Sequence, residues 1–218
     1  HDLRTPMAAV VGAASSLQTQ RDKLSLDEQE RLLASIVREA TYLSTVTENT
    51  LQLVQLTNTT QAIQRDWESM EEIVGSVLAR LRASDPTRRI KSRVPKGLPL
   101  IRANPVLVAQ LLANLLDNAL KYSDAAIDLV VSAGHAMLHV SVKDRGDTIP
   151  ADRYAAIFEP YSRNDQSGQR GAGLGLALCR AIAHSHGGEL DVRRRQGGGN
   201  CFTLSLPVDP QQPQGLPS

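Results

Sequence analysis

Two apolar periods divide this chain and decide what it can fold into. After Ser25, the residues Leu33, Ile36, Ala40, Leu43 and, past polar Thr47 and Thr50, Val54 fall at alternating three and four spacing. That is one long helix with an apolar stripe. The polar, Thr-rich stretch from Gln55 to Gln64 ends the pattern, and Trp67 opens a different texture. Apolar residues alternate with polar ones from Ile127 to Val131 and from Met137 to Val142, which is strand periodicity. The division predicts a helical region over residues 1–58, a mixed region over 65–207, and a Pro- and Gln-rich disordered tail over 208–218.

In the first region, Met7 to Leu17 is Ala, Val and Ser without a breaker and reads as helix, and the polar stretch from Gln18 to Leu24 reads as a loop. Ser25 with Glu28 is a capping-box signature at the start of the long helix. Two helices bury little alone. A heptad stripe flanked by Glu, Arg and Gln meets a partner, so a dimeric four-helix bundle is the expected closure, with an intramolecular seam against the next region as the alternative.

In the second region, Ser69 with Glu72 marks a helix running to about Ala83, and β-like runs follow at Ile90 to Val94 and Leu100 to Arg102. Leu107, Val108, Leu111, Leu112, Leu115, Leu116, Ala119 and Leu120 make an amphipathic helix. A helix covers Leu174 to His186 and stops at Gly187-Gly188, and Leu190 to Arg194 and Asn200 to Leu206 complete a sheet. Helices and strands interleaved without strict βαβ alternation predict an α+β sandwich with helices on one face.

Bulk properties remove several function classes. Lys plus Arg at 24 against Asp plus Glu at 23 leaves a net charge of +1, too little to draw the chain to nucleic acid or an anionic membrane. Cys179 and Cys201 have neither zinc spacing nor the density of a disulfide scaffold, and are expected as buried, reduced thiols of a cytoplasmic protein. No apolar run approaches the roughly 20 residues that cross a bilayer, and a signal peptide's charged and apolar regions are missing. A start at histidine is read as a soluble fragment, compatible with a longer parent chain that carries a membrane-anchored sensory part.

The chemistry concentrates in a few boxes. His1 and Thr5, four apart, share a helix face, which puts a hydroxyl beside an imidazole. Neutral imidazole is a competent nucleophile near pH 7, and Asp2 can hold or accept a ring proton while the other nitrogen attacks a γ-phosphate. Pro6 is expected to bend the helix just beyond them. Asn114, Asn118 and Lys121 or Tyr122 form a polar stripe opposite the leucines of their helix. An Asn carbonyl suits Mg²⁺, a Lys ammonium suits phosphate, and Tyr122 offers a flat surface for a base.

Asp144-Arg-Gly146 follows a strand, where the carboxylate can accept from an exocyclic amine and Gly146 permits close backbone approach. Ile157-Phe-Glu-Pro160-Tyr161 then precedes a polar stretch from Ser162 to Arg170. Gly171-Ala-Gly173-Leu-Gly175 opens the next helix as a phosphate-binding turn. The preceding strand and following βαβ unit of a dinucleotide fold are missing.

Read together, these boxes over about residues 1–206 resemble the kinase core of bacterial sensor histidine kinases of two-component systems. Arg65-Asp-Trp67 and the Met70 to Leu78 segment look most like the Kdp-type potassium sensors. The resemblance implies an all-α dimerisation and phosphotransfer hairpin, then an α+β ATP-binding sandwich of the Bergerat (GHKL) type. It implies ATP and Mg²⁺ as cofactors, a homodimer, and a response regulator whose aspartate receives the phosphoryl group. His1 would be the phosphorylated residue, Asp2 its base, and Thr5 an aid to water in dephosphorylating the regulator. Asn118 would ligate Mg²⁺ with Asn114 beside it. Lys121 would contact phosphate, Tyr122 would lie against adenine, Asp144 with Gly146 would read the adenine amine, and Gly171, Gly173 and Gly175 would border the triphosphate.

The family pattern has a second glycine where this chain has Thr148, and a branched residue is poor at φ > 0, so weaker or slower nucleotide binding is expected. Two rival readings stand beside this one. One is a silent, nucleotide-gated scaffold; the other is an ATP hydrolase of the gyrase and chaperone type, which would carry a carboxylate where this chain has Asn114. Among smaller signals, His184 and His186 are expected to interact with a helix C-terminus rather than a metal. Arg193 to Arg195 read as a solvated strand end, and His135 and His139 as a hairpin residue and a strand residue without a third ligand.

Overall fold

The computed structural model describes residues 3–58, 63–87, 89–162 and 173–211. The chain begins with helix α1 (Arg4–Thr19) and, after a short 3-10 turn (Arg21–Lys23), helix α2 (Leu26–Asn58). The two helices pack against each other as a hairpin. Ser25 caps α2 in both directions: its Oγ accepts from the Glu28 N–H at 3.3 Å, and Glu28 Oε2 accepts from the Ser25 N–H at 2.8 Å. Pro6 lies in the first turn of α1, where an N–H has no intrahelical partner, so it fits the helix start rather than bending a helix already formed.

The expected stripe on α2 splits into two rows. Ile36, Leu43 and Thr50 are half-buried, but the row hidden with them is Leu32, Glu39, Val46 and Leu53, a strict seven-residue repeat. Leu33, Ala40, Thr47 and Val54 form the neighbouring row and stay exposed; Val46 is 6% exposed against 54% for Leu33. Helix α1 repeats the arrangement, burying Pro6 and Ala13 while Leu3, Met7 and Val11, one turn apart, face outward.

A second sheet-and-helix region follows. Its five-stranded sheet has the order β2 (Ile90–Arg93), β4 (Ile127–Ala133), β5 (Met137–Lys143), β7 (Asn200–Pro207), β6 (Glu189–Arg194). The β2–β4 pair is parallel and the other pairs are antiparallel. A separate two-stranded piece joins β1 (Asp66–Glu68) to β3 (Ile101–Ala103), with the Arg102 guanidinium 5.3 Å above the Trp67 ring. The β1 strand, three residues long, had no alternation to announce it.

Helices α3 (Met70–Ser84), α4 (Pro105–Lys121) and α5 (Gly175–Ser185) form one layer. The core lies between that layer and the sheet, where Leu111, Leu112, Leu115 and Leu116 of α4 and Leu178 and Ile182 of α5 meet Leu129, Val140, Val142 and Leu204. Alternation sends Ser132, His139, Ser141, Thr203 and Ser205 to the opposite, polar face. There His139 Nδ1 and Ser205 Oγ are 2.9 Å apart, and Ser141 and Thr203 share a hydroxyl contact of 3.1 Å. The architecture is the expected α+β sandwich with a mixed sheet.

Local signals explain the helix boundaries. Asn104 caps α4 through its Oδ1, which accepts from the Leu107 N–H at 3.1 Å, and Pro105 takes the first helical position. Ser69 caps α3 by accepting from Glu72 at 3.3 Å, but its hydroxyl turns to Glu71 at 2.9 Å, so only half of the expected box forms. Helix α5 ends with Gly187 at φ 72°, while Gly187 donates to His184 and Gly188 to Ala183, a Schellman closure.

Two expectations need correction. Cys179 is buried in the core, but Cys201 projects to the polar face and is only half-buried, because it is out of phase with Phe202. Arg195 is not a solvated strand end. It forms an ion pair with Asp128 and donates to the carbonyls of Lys143 and Asp144 at 3.2 and 3.3 Å. No described helix is long and apolar enough to cross a membrane.

Candidate functional site

The loop after β5 is tied down by an unusual number of bonds to one carboxylate. Asp144 is 3% exposed, and its Oδ1 accepts from the Gly146 N–H at 2.9 Å, the Asn200 N–H at 3.2 Å and the Asn200 Nδ2 at 3.1 Å. Among the described residues no donor reaches Oδ2. One carboxylate oxygen is therefore loaded by the protein and the other remains able to accept from a ligand.

Gly146 joins this loop to α4. A Cβ built on it would collide with the Tyr122 carbonyl at the cap of that helix, so only glycine lets the two backbones meet. Gly146 does not have positive φ; its requirement is space. Asp144 and Gly146 are thereby placed beside the end of the helix that carries Asn114, Asn118, Lys121 and Tyr122.

Along α4, Asn118 is half-buried and its side chain has no hydrogen bond among the described residues. Lys121 holds its Nζ 5.0 Å from the centre of the Tyr122 ring, and Tyr122 is exposed. Asn114 lies deeper. Its Nδ2 is buried without a hydrogen-bond partner among the described residues, an arrangement that costs about 1–3 kcal/mol when left empty. Across from it stands Cys179 of α5, whose Sγ is 3.6 Å from the Leu111 carbonyl. Burial pushes the Cys179 thiol up to about 12, with the neighbouring Asn114 amide pulling the other way, so the group is a neutral packing element.

Gly173 lies two residues before α5. It has φ 67°, and a Cβ on it would lie 2.6 Å from the Ser162 carbonyl. Tyr161 donates from its N–H to the Gly173 carbonyl at 3.0 Å. Tyr161 and Ser162 are thus held directly against Gly173. Gly175 opens α5 and has open space around its Cα, so its own surroundings do not require glycine.

Thr5 lies exposed in the first turn of α1. His1, Asp2 and Gly171 fall outside the described residues. The strain argument against Thr148 does not hold: Tyr161 is the only non-glycine residue with positive φ among those described. Thr148 has ordinary backbone, and its Oγ1 accepts from the Gly199 N–H at 3.2 Å.

Two residues with structural weight at this site were missed or underread in the sequence, and a third, His186, was misread at the opposite end of α4. Asn200 comes from β7, the strand paired with β5, Arg195 follows β6, and His186 comes from the end of α5. His186 is buried; its Nδ1 is 2.7 Å from the Ile182 carbonyl and its Nε2 accepts from the Asn104 N–H at 3.0 Å, which fixes the tautomer. Burial lowers its pKa, and the nearby Arg65 adds to that, against the Ile182 carbonyl. Instead of serving the helix dipole as a cation, His186 fastens the start of α4 to the end of α5.

The residues fit an adenine nucleotide by their own chemistry. A buried carboxylate offers one unused oxygen, a glycine is required by contact, and the Asn114 Nδ2 on α4 lacks a hydrogen-bond partner among the described residues. Comparison with known proteins agrees. Residues 1–59 match the His Kinase A (phospho-acceptor) domain, and residues 103–210 match the histidine kinase-, DNA gyrase B- and HSP90-like ATPase domain. Sensor protein KdpD of Escherichia coli K12 is 35% identical over 95% of this chain, which spans 23% of that protein. The adaptive-response sensory kinase SasA of Synechocystis is 32% identical over 95% of the chain, which spans 57% of it. The chain thus spans well under two thirds of these relatives. Full-length ShkA in complex with AMPPNP matches 98% of the chain at 28% identity and a TM-score of 0.72, with 45% of ShkA covered. Acinetobacter baumannii AdeS shares the fold at a TM-score of 0.77 and 20% identity, with 96% of this chain and 98% of that one covered.

Proposed function

Because the chain belongs to the sensor histidine kinases, joining a phospho-acceptor region to a histidine-kinase-type ATPase region, we propose that it autophosphorylates on His1 from ATP and passes the phosphoryl group to a response regulator aspartate. The half-loaded carboxylate of Asp144 carries this reading. Its Oδ2 accepts from the adenine 6-amine, while Gly146 keeps the loop close enough to α4 for Tyr122 to border the base. Asn114 and Asn118 turn their amides toward the phosphates, Lys121 offers its ammonium, and Gly171, Gly173 and Gly175 border the triphosphate at the start of α5.

Asn118 is the residue suited to hold Mg²⁺, with Asn114 beside it; when bound, the ion neutralises phosphate charge. In the transfer step a ring nitrogen of His1 forms the bond to the γ-phosphorus, the bond from that phosphorus to the β–γ bridging oxygen breaks, and ADP leaves with the electron pair. Asp2 holds the proton of the other ring nitrogen and so keeps the attacking one unprotonated. In the reverse direction of signalling, Thr5 orients water for dephosphorylation of the regulator.

The exposed rows Leu3, Met7, Val11 and Leu33, Val37, Leu51, Val54 support closure of the hairpin by a second copy of this chain into a four-helix bundle. The kinase core would work in the cytoplasm, whether or not the parent chain is anchored in a membrane. Asn114 stands where an ATP hydrolase of this fold would need a general base, and an amide cannot serve as one, which favours transfer to His1 over transfer to water.

Incubation with γ-labelled ATP is expected to give a protein label that is labile in acid and stable in alkali. The His1→Gln variant should bind nucleotide normally and take up no label; a label that persists there would overturn the assignment of His1.

A further inference from the structure

We propose that Asn200 is the positioning residue that aims the Asp144 carboxylate, and so sets how strongly this chain prefers a purine carrying a 6-amine. The inference rests on the reading of Asp144 as the group that receives that amine. Asn200 is 5% exposed at the start of β7, fifty-six residues from Asp144 in sequence.

Its backbone and side chain both serve the loop. The Asn200 carbonyl accepts from the Asp144 N–H at 3.0 Å, and the Asn200 N–H donates to Oδ1 at 3.2 Å. The side-chain Nδ2 spends one proton on Oδ1 at 3.1 Å and the other on the Asp147 carbonyl at 2.9 Å, while Oδ1 of Asn200 accepts from the Ile149 N–H at 2.8 Å. Turning the amide over would set its NH₂ against the Ile149 N–H and its oxygen against the Asp144 carboxylate, so the orientation is fixed by donor and acceptor count.

The consequence falls on Asp144. With Oδ1 held by the Gly146 N–H on one side and the Asn200 donors on the other, rotation of the carboxylate is suppressed and Oδ2 has one direction left to face. A group that accepts a ligand hydrogen bond gains most when its aim is set beforehand. Arg195 supports the same loop from behind, through the carbonyls of Lys143 and Asp144, and touches neither carboxylate oxygen of Asp144. Asn200 is therefore the side chain through which β7 controls the base-reading oxygen.

The test compares ADP with purine riboside 5′-diphosphate, which lacks the 6-amine, by calorimetry on the whole chain. Wild type is expected to favour ADP by about 10-fold or more, the scale of a hydrogen bond to a charged acceptor. Asn200→Asp keeps the shape of the side chain and its acceptor for Ile149 but replaces both donors with an oxygen facing Asp144. It should bring the ratio to within about twofold of unity. Asn200→Ala removes the two side-chain N–H donors, leaves the backbone N–H on Oδ1, adds no charge, and should give a ratio between the two.

Both nucleotides are measured on the same variant, so partial unfolding scales the two affinities alike and cancels from the ratio. A wild-type ratio retained in Asn200→Asp or Asn200→Ala would overturn the role of Asn200 and leave the reading of Asp144 standing. A wild type indifferent to the 6-amine would remove the reading of Asp144 and this inference with it.

Discussion

The helical hairpin and the sandwich bury their apolar residues to very different degrees. In the sandwich, one continuous core runs from Met70 to Leu206 and takes in every leucine on the inner face of α4. Among the described residues of the hairpin only Pro6, Ala13, Glu39 and Val46 are buried, while large apolar residues from Leu3 to Val54 remain exposed. The sandwich is complete in one copy. Among the described residues nothing covers the hairpin's outer rows, so its stability is expected to depend on a second molecule.

The largest test of that contrast pairs two substitutions of the same kind. Leu116→Ala, at a fully buried position, should cost about 2–5 kcal/mol, and the loss should be the same at any protein concentration. Leu33→Ala, on the exposed row, should leave the sandwich transition unchanged within about 0.5 kcal/mol and lower self-association instead. Urea unfolding followed by circular dichroism at two concentrations, with sedimentation equilibrium, separates the two results. A concentration-dependent loss in Leu116→Ala, or unchanged association in Leu33→Ala, would break the contrast.

The same contrast explains what could be read in advance. Periodicity announced α4, β4 and β5 because each buries one face continuously, it announced α2 by its apolar stripe, and it announced the sandwich because the two periods interleave. It misjudged which row of α2 is hidden. Leu32, Glu39, Val46, Leu53 and Leu33, Ala40, Thr47, Val54 run parallel one residue apart, and Glu39 disguised the buried row as polar. Asn104-Pro105 carried a helix start that could have been used. Asn200 could not be found this way. Its partners Asp144, Asp147 and Ile149 are brought to it by strand pairing rather than by spacing. Arg195 was misread for the same reason.

A smaller test lies at the junction. Gln52 of α2 and Gln110 of α4 exchange two side-chain hydrogen bonds of 2.8 and 2.7 Å, and Leu53 and Leu56 pack on the sandwich core beside them. Either Gln→Ala change leaves the other amide half-buried and should cost about 1 kcal/mol, with the double variant costing less than the sum. A double-mutant cycle in urea measures that coupling. Additive losses would mean that the two regions touch without this amide pair holding them.

The smallest expected effect concerns Thr148, where the strain first expected from its branched side chain is not present. The turns around the site that need positive φ use Gly173, Gly197, Gly198 and Gly199, with Tyr161 the exception, and the loop from Asp144 to Ile149 is closed by the Asn200 amide instead. Thr148→Gly therefore relieves no strain. It removes one hydrogen bond to Gly199 from an exposed position, where water can replace it, and loosens the unfolded chain. The expected result is a stability loss below about 1 kcal/mol and ADP affinity within about twofold of wild type. A tenfold gain in affinity would mean that the loop takes up a left-handed turn at position 148 when nucleotide binds, and that the Asn200 closure seen here is the state that binding must open.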